Sequence, residues 1–103
     1  MVTPSQGEIW WAEAEDKRRP VLIVTRSEAV PVLRWIIVAP VTRTVRGIRT
    51  EIPLGPSHGL AAACAATFDN LQPIRRSFLT ERVGVLPHPR PAICEALRAL
   101  ADC

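Results

Sequence analysis

Ten prolines and five glycines are spread so densely through this chain that almost no stretch can hold regular structure for long before it must turn. Proline removes a backbone donor and glycine sacrifices conformational order, so long helices and long unbroken strands are excluded over most of the length. What survives between the punctuation is short, apolar and rich in β-branched residues, the signature of small antiparallel strands. Gly7 to Ala14 (GEIWWAEA) reads as a first strand, with Ile9 and Trp11 on one face and Trp10 on the other. Charged EDKRR follows as a loop. Pro20 then opens VLIVT, a run apolar on both faces, with the proline tolerated at the strand's first position. After Pro31, VLRWIIVAPV repeats the pattern as a third strand, and Thr42 to Gly47 (TRTVRG) is a strand end running into a loop.

Residues 48–54 (IRTEIPL) alternate like a half-exposed strand, and GPSHG is a turn. From Leu60 to Ile74 the small-residue run AAACAATF favours helix by propensity, but its β-favouring end and flanking turns predict a strand continuing through DNLQPI. FLTERVGVL is a further strand. Residues 91–102 are the one predicted helix: Pro91 falls in its first turn, and Ile93, Leu97, Leu100 and Ala101 form one apolar stripe. Five or six short strands and a terminal helix predict a mainly β fold, a strongly bent small antiparallel barrel. At 103 residues it is a single domain spanning 1–103.

Apolar residues at 48% against 22% charged, with a mean hydropathy of +0.12, exclude a disordered chain. The same balance is high for a small monomer and predicts apolar surface buried against a partner or a second copy. Net charge is only +3, but it is unevenly placed. Residues 17–49 carry Lys17 and seven arginines against Glu28 alone, whereas residues 1–16 hold acids and no base. Twelve of the thirteen basic residues are arginine, whose planar fork fits phosphate; a GC-rich coding sequence would give the same enrichment. Cys64, Cys94 and Cys103 are odd in number and lack metal-ligand spacing, which predicts neither a disulfide framework nor a zinc site. With no basic-then-apolar leader and no run long enough for a membrane span, the expectation is a reduced, cytoplasmic protein whose thiols are buried or idle.

No HExxH, GxSxG or GxxxxGK motif is present. His58 and His88 each lie in a Gly/Pro-rich turn, where histidine is ordinarily a solvated surface group rather than half of an acid–base pair. The concentrated signal is Arg19 before one apolar strand and Thr42 closing another. If those strands are antiparallel neighbours, guanidinium and hydroxyl meet at one rim, and rigid strand ends give the preorganisation that charge stabilisation needs. Equally, Arg19 closes a loop and Thr42 satisfies a strand end; the residues alone leave both readings open. Asn70 and Gln72 offer amides suited to base edges. Trp10, Trp11 and Trp35 are expected to pack rather than to stack on bases.

GEIWW, RRPVLIVT, IIVAPVTRT and FDNLQPI, in that order and followed by a terminal helix, resemble the MazF/PemK family of toxin endoribonucleases across about residues 6–102. The resemblance implies an SH3-like, CcdB-like β-barrel assembled as a homodimer, with single-stranded RNA running across the dimer face. It further implies metal-independent cleavage at short sequences, without a cofactor, leaving a 2′,3′-cyclic phosphate and a 5′-hydroxyl. Neutralisation by a cognate acidic antitoxin is part of the same expectation. By the resemblance Arg19 and Thr42 are catalytic, and Asn70 and Gln72 contact RNA; Lys17, Arg18 and Arg43 are expected to grip phosphates without specifying bases. A guanidinium is a poor proton acceptor, so Arg19 is assigned to phosphate stabilisation and acid donation, and the base is left unassigned. The chain departs from the family in the loop before Arg19: AEAEDKRRP is short, with Glu15 or Asp16 standing in place of a glutamate within a longer glycine-containing loop. Two other functions remain open on the residues, a CcdB-like topoisomerase poison and a noncatalytic RNA-binding barrel.

Overall fold

The computed structural model describes residues 3–14 and 17–101. Strands β1 (Glu8–Ala14) and β2 (Lys17–Ile23) form an antiparallel hairpin in which Ile9 faces Leu22 and Ala14 faces Lys17. The hairpin corrects the expected charged loop: Lys17, Arg18 and Arg19 lie within β2, and Pro20 sits inside the strand opposite Trp11. Glu15 and Asp16 lie outside the described residues.

Strand β3 (Trp35–Thr42) runs antiparallel to β2 through Val21–Ile23. It begins later than the sequence predicts, because Val30–Val32 forms a 3₁₀ turn around Pro31. That turn plugs the fully buried Val30 side chain beneath the sheet and leaves Val32 exposed. Strand β4 is likewise shorter, Glu51–Leu54, since Glu51 N–H bonds back to the Ile48 carbonyl and closes a turn where a strand was expected.

The predicted continuous strand through DNLQPI is broken in two. β5 (Cys64–Thr67) pairs with β4 and with the end of β3, whereas β6 (Gln72–Arg75) pairs with the beginning of β3 in a shifted register. A 3₁₀ turn at Phe68–Asn70 absorbs the shift, and its Phe68 side chain is fully buried. Asn70 therefore stands on a turn rather than on a strand. β7 (Leu79–Val85) returns to pair with β1, giving seven strands in the order β4-β5-β3-β2-β1-β7 with β6 on the edge of β3.

The sheet curls into a half-barrel without hydrogen bonding β4 to β7. The remaining gap is filled by packing: a Cβ on Gly84 of β7 would lie 1.9 Å from the His58 carbonyl oxygen, so only glycine lets the turn after β4 seat against β7.

Both sheet faces are buried, which explains the two-sided apolar VLIV run. On one face Ile9, Leu22, Ala39, Ile52, Leu54, Ala66 and Phe68 pack with Ile93 and Ala96 of the terminal helix α1 (Pro89–Ala101). On the other, Trp10, Val21, Ile23, Val30, Ile36 and Val38 form a smaller core. The predicted helical stripe holds only in part. Ile93 is buried and Leu97 half-buried, but Leu100 and Ala101 are exposed because the last turn overhangs the sheet, and Ala96 takes the second buried position. Asp102 and Cys103 lie outside the described residues.

The tryptophans also divide. Trp10 is buried and donates Nε1–H to Glu8, as expected of a packed indole, and Trp11 is half-buried. Trp35, expected to pack, is 50% exposed beneath the Arg75 guanidinium, because it opens β3 beyond the edge of either core.

Candidate active site

Side chains alternate along β2, so Lys17, Arg19, Val21 and Ile23 share one face while Arg18, Pro20 and Leu22 share the other. Val21 and Ile23 are anchored in the smaller core, and Arg19 extends the same face outward past its edge. On β3, Ile36, Val38, Pro40 and Thr42 form the corresponding row. Val21 pairs with Pro40, and carrying that register two residues outward sets Arg19 across from Thr42. Two strands fixed by buried apolar residues thus deliver guanidinium and hydroxyl to one rim.

There they line a cleft of about 360 Å³ together with Pro40, Val41, Thr44, Arg46, Glu51, Thr67, Asn70 and Gln72. Gln72 enters because it opens β6 opposite Val38, on the row that ends in Thr42. Asn70 enters because buried Phe68 pins the turn that carries it. Thr67, buried on β5 and paired with Glu51 of β4, forms part of the wall. Two larger open clefts lie elsewhere, one beside α1 and one between the Val30–Val32 turn and β7, and neither contains any of the sequence-predicted residues.

Thr44 N–H donates to Thr42 Oγ1 at 3.1 Å, which occupies one oxygen lone pair; the O–H proton makes no hydrogen bond among the described residues and is available to a ligand in the cleft. Arg19 and Arg46 make no ion pair among the described residues, in contrast to Arg26 with Glu28 and Arg82 with Glu8. The cleft thus presents two uncommitted guanidinium groups, hydroxyl donors and two amides, a set suited to an anion flanked by hydrogen-bonding groups.

The other candidates lie outside it. Lys17 shares the face of Arg19 but does not line the cleft. Arg18 points to the opposite face, where its guanidinium lies 4.1 Å from the Trp11 ring centre and 3.6 Å from both Glu13 and Glu81. Arg43 is exposed just beyond β3. His58 accepts a hydrogen bond from Gly55 N–H within its own turn, and His88 precedes α1; neither reaches the cleft. Burial pushes the Cys64 thiol up from its ordinary value, with the Arg43 charge pulling in the other direction.

Sequence reading missed Thr44, Arg46, Glu51 and Thr67 as cleft residues. Only Glu51 carried a signal, as the sole acid between Glu28 and Asp69 in a basic stretch.

A family model described as PemK-like, MazF-like toxin of type II toxin-antitoxin system matches residues 5–101. The chain is 41% identical to the probable endoribonuclease MazF5 of Mycobacterium tuberculosis, over 97% of this chain and 94% of that one. It is 42% identical to the endoribonuclease MazF3 of the same species, over 80% and 81% of the two chains. The solved structure of Mycobacterium tuberculosis toxin MazF-mt6 superposes with a TM-score of 0.83 at 38% identity, covering 92% of this chain and 96% of that one.

Proposed function

This chain belongs to the PemK-like, MazF-like toxins of type II toxin–antitoxin systems and is an endoribonuclease, and from that premise we propose that it cleaves single-stranded RNA at short sequences without a metal. The observation that carries the proposal is the meeting of Arg19 and Thr42 in one cleft with the Thr42 proton free to donate. The 2′-hydroxyl loses its proton to solvent and attacks the adjacent phosphorus, the P–O5′ bond breaks, and the leaving O5′ takes a proton from Arg19, which solvent restores; the products are a 2′,3′-cyclic phosphate and a 5′-hydroxyl. Negative charge accumulates on the phosphorane oxygens in between. Arg19 offsets that charge and Thr42 donates to a non-bridging oxygen, from strand ends that need no reorganisation. Asn70 and Gln72, on the same wall, contact base edges, while Lys17 and Arg43 hold phosphates farther along the strand; Arg18, expected to do the same, is turned to the opposite face and held there by Glu13, Glu81 and Trp11.

The whole chain, 1–103, acts as one toxin domain in the cytoplasm, held in check by an acidic cognate antitoxin that competes for the basic cleft. No helix among the described residues is long and apolar enough to cross a membrane. It works as a homodimer: exposed Val32, Leu33, Trp35 and Ile37 supply apolar surface for a second copy, and two copies lengthen the path available to RNA.

The test is incubation of mixed RNA in EDTA with the wild-type protein, Arg19→Ala and Thr42→Ala. Wild type cleaves and leaves cyclic phosphate ends, and each variant loses about 10²–10³ in rate, the scale of one charge-stabilising donor. Intact RNA with all three proteins, or equal cleavage by all three, overturns the proposal.

A further inference from the structure

Among the described residues, Glu51 is the one acidic side chain lining a cleft proposed to hold a polyanion, where its charge would oppose binding. Its hydrogen bonds give it a different role. Glu51 opens β4 and is half-buried, and its backbone is held in register opposite Thr67. Its Oε1 accepts from both Arg46 N–H and Gly47 N–H, each at 3.0 Å. Gly47 lies at φ +69 with open space around it, so left-handed backbone rather than crowding requires glycine at this turn. Two successive N–H groups converging on one oxygen make an anion-binding nest, filled here by the chain's own carboxylate.

The side chain held at that turn is Arg46, which lines the same cleft as Arg19 and has no ion-pair partner among the described residues. The rest of the 43–50 segment is tied by Thr44 N–H to Thr42, by Glu51 N–H to the Ile48 carbonyl and by the Thr50 hydroxyl to Asp69 at 2.7 Å. Without the Glu51 carboxylate, Arg46 and Gly47 would lose the hydrogen bonds that their backbone N–H groups make.

We infer that Glu51 is a positioning residue for RNA: by gripping the Arg46–Gly47 turn it holds the Arg46 guanidinium over the cleft as a second phosphate contact beside Arg19. The inference rests on the endoribonuclease reading above and assigns that reading's binding surface a second cation. The partial positive charges of two backbone N–H groups offset the Glu51 carboxylate, so it repels the substrate less than a free carboxylate would.

The experiment compares wild type, Glu51→Ala, Glu51→Gln, Arg46→Ala and the Arg46→Ala/Glu51→Ala double variant on a pool of end-labelled single-stranded RNA oligonucleotides, with thermal melting of each. Arg46→Ala and Glu51→Ala raise apparent KM about tenfold with kcat nearly unchanged, as loss of a uniform binding contact requires. Glu51→Gln, whose amide oxygen still accepts both N–H groups, recovers most of that loss, and the double variant is no worse than Arg46→Ala alone, since one contact cannot be lost twice. A fall in kcat with Glu51→Gln would make Glu51 a proton acceptor and overturn the inference. Additive losses in the double variant, or a Glu51→Gln protein that fails to fold, would overturn it as well. Should Glu51→Ala alone fail to fold, Glu51→Asp, whose shorter side chain draws the carboxylate back from the two N–H groups, takes its place with the same expected rise in KM, and an unchanged KM in it overturns the inference. If wild type cleaves nothing, the nuclease reading fails separately. Binding of a 2′-deoxy oligonucleotide pool then tests the positioning role by itself: about tenfold weakening in both Arg46→Ala and Glu51→Ala but not in Glu51→Gln supports it, and unchanged binding in either alanine variant overturns it.

Discussion

Arg18 and Arg19 are chemically identical and adjacent, yet one is bound into ion pairs and an indole contact while the other faces the cleft with no ion-pair partner among the described residues. Strand alternation separates them, so the identity of a site residue here is a matter of parity as much as of chemistry. The same holds for the thiols. Cys64 faces inward from β5, where desolvation disfavours the reactive thiolate; Cys94 is exposed on α1. Iodoacetamide at neutral pH should therefore modify Cys94 in the folded protein and reach Cys64 about ten times more slowly or worse, the difference vanishing in denaturant. Peptide mass spectrometry of a labelling time course checks this, and equal rates in the native state would contradict it.

At the level of elements, the paired strands β1 and β7 are cross-tied by Glu8. Its desolvation alone would raise its pKa, but hydrogen bonds from Trp10 Nε1, Ser5 N–H and Arg82 together hold the carboxyl below the ordinary glutamate range. A depressed folded-state value means the stabilisation is present above the unfolded-state value and is lost as pH falls through the folded one. Melting temperature should accordingly drop below the ordinary glutamate range in wild type and drop less steeply in Glu8→Gln; parallel pH profiles for the two would rule Glu8 out. The elements also show what could be read in advance. β1, the VLIV strand, the β3 core and α1 were legible because apolar alternation and proline placement are local. The break at Phe68–Asn70 was not, because it exists only to let two segments pair with one edge of β3 in different registers. Arg19 and Thr42 were legible as polar residues at the ends of apolar strands, and Gln72 as an amide in the polar DNLQ stretch. Arg46 and Thr67 were not, since a loop's fold and a wall's curvature bring them in.

For the whole molecule, the exposed apolar residues near the start of β3 make a second copy the natural cover. Light scattering at working concentration should give twice the 11.4 kDa chain mass, and a stable monomer would count against the homodimer. The cleft's polar side chains belong to neither core: Arg19, Arg46, Asn70 and Gln72 are exposed, held by what lies beneath them without supporting it in return. A molecule arranged in this way can be disarmed without being dismantled. One substitution at the rim would leave an intact, soluble bystander, still able to pair with active copies and blunt them from within the assembly.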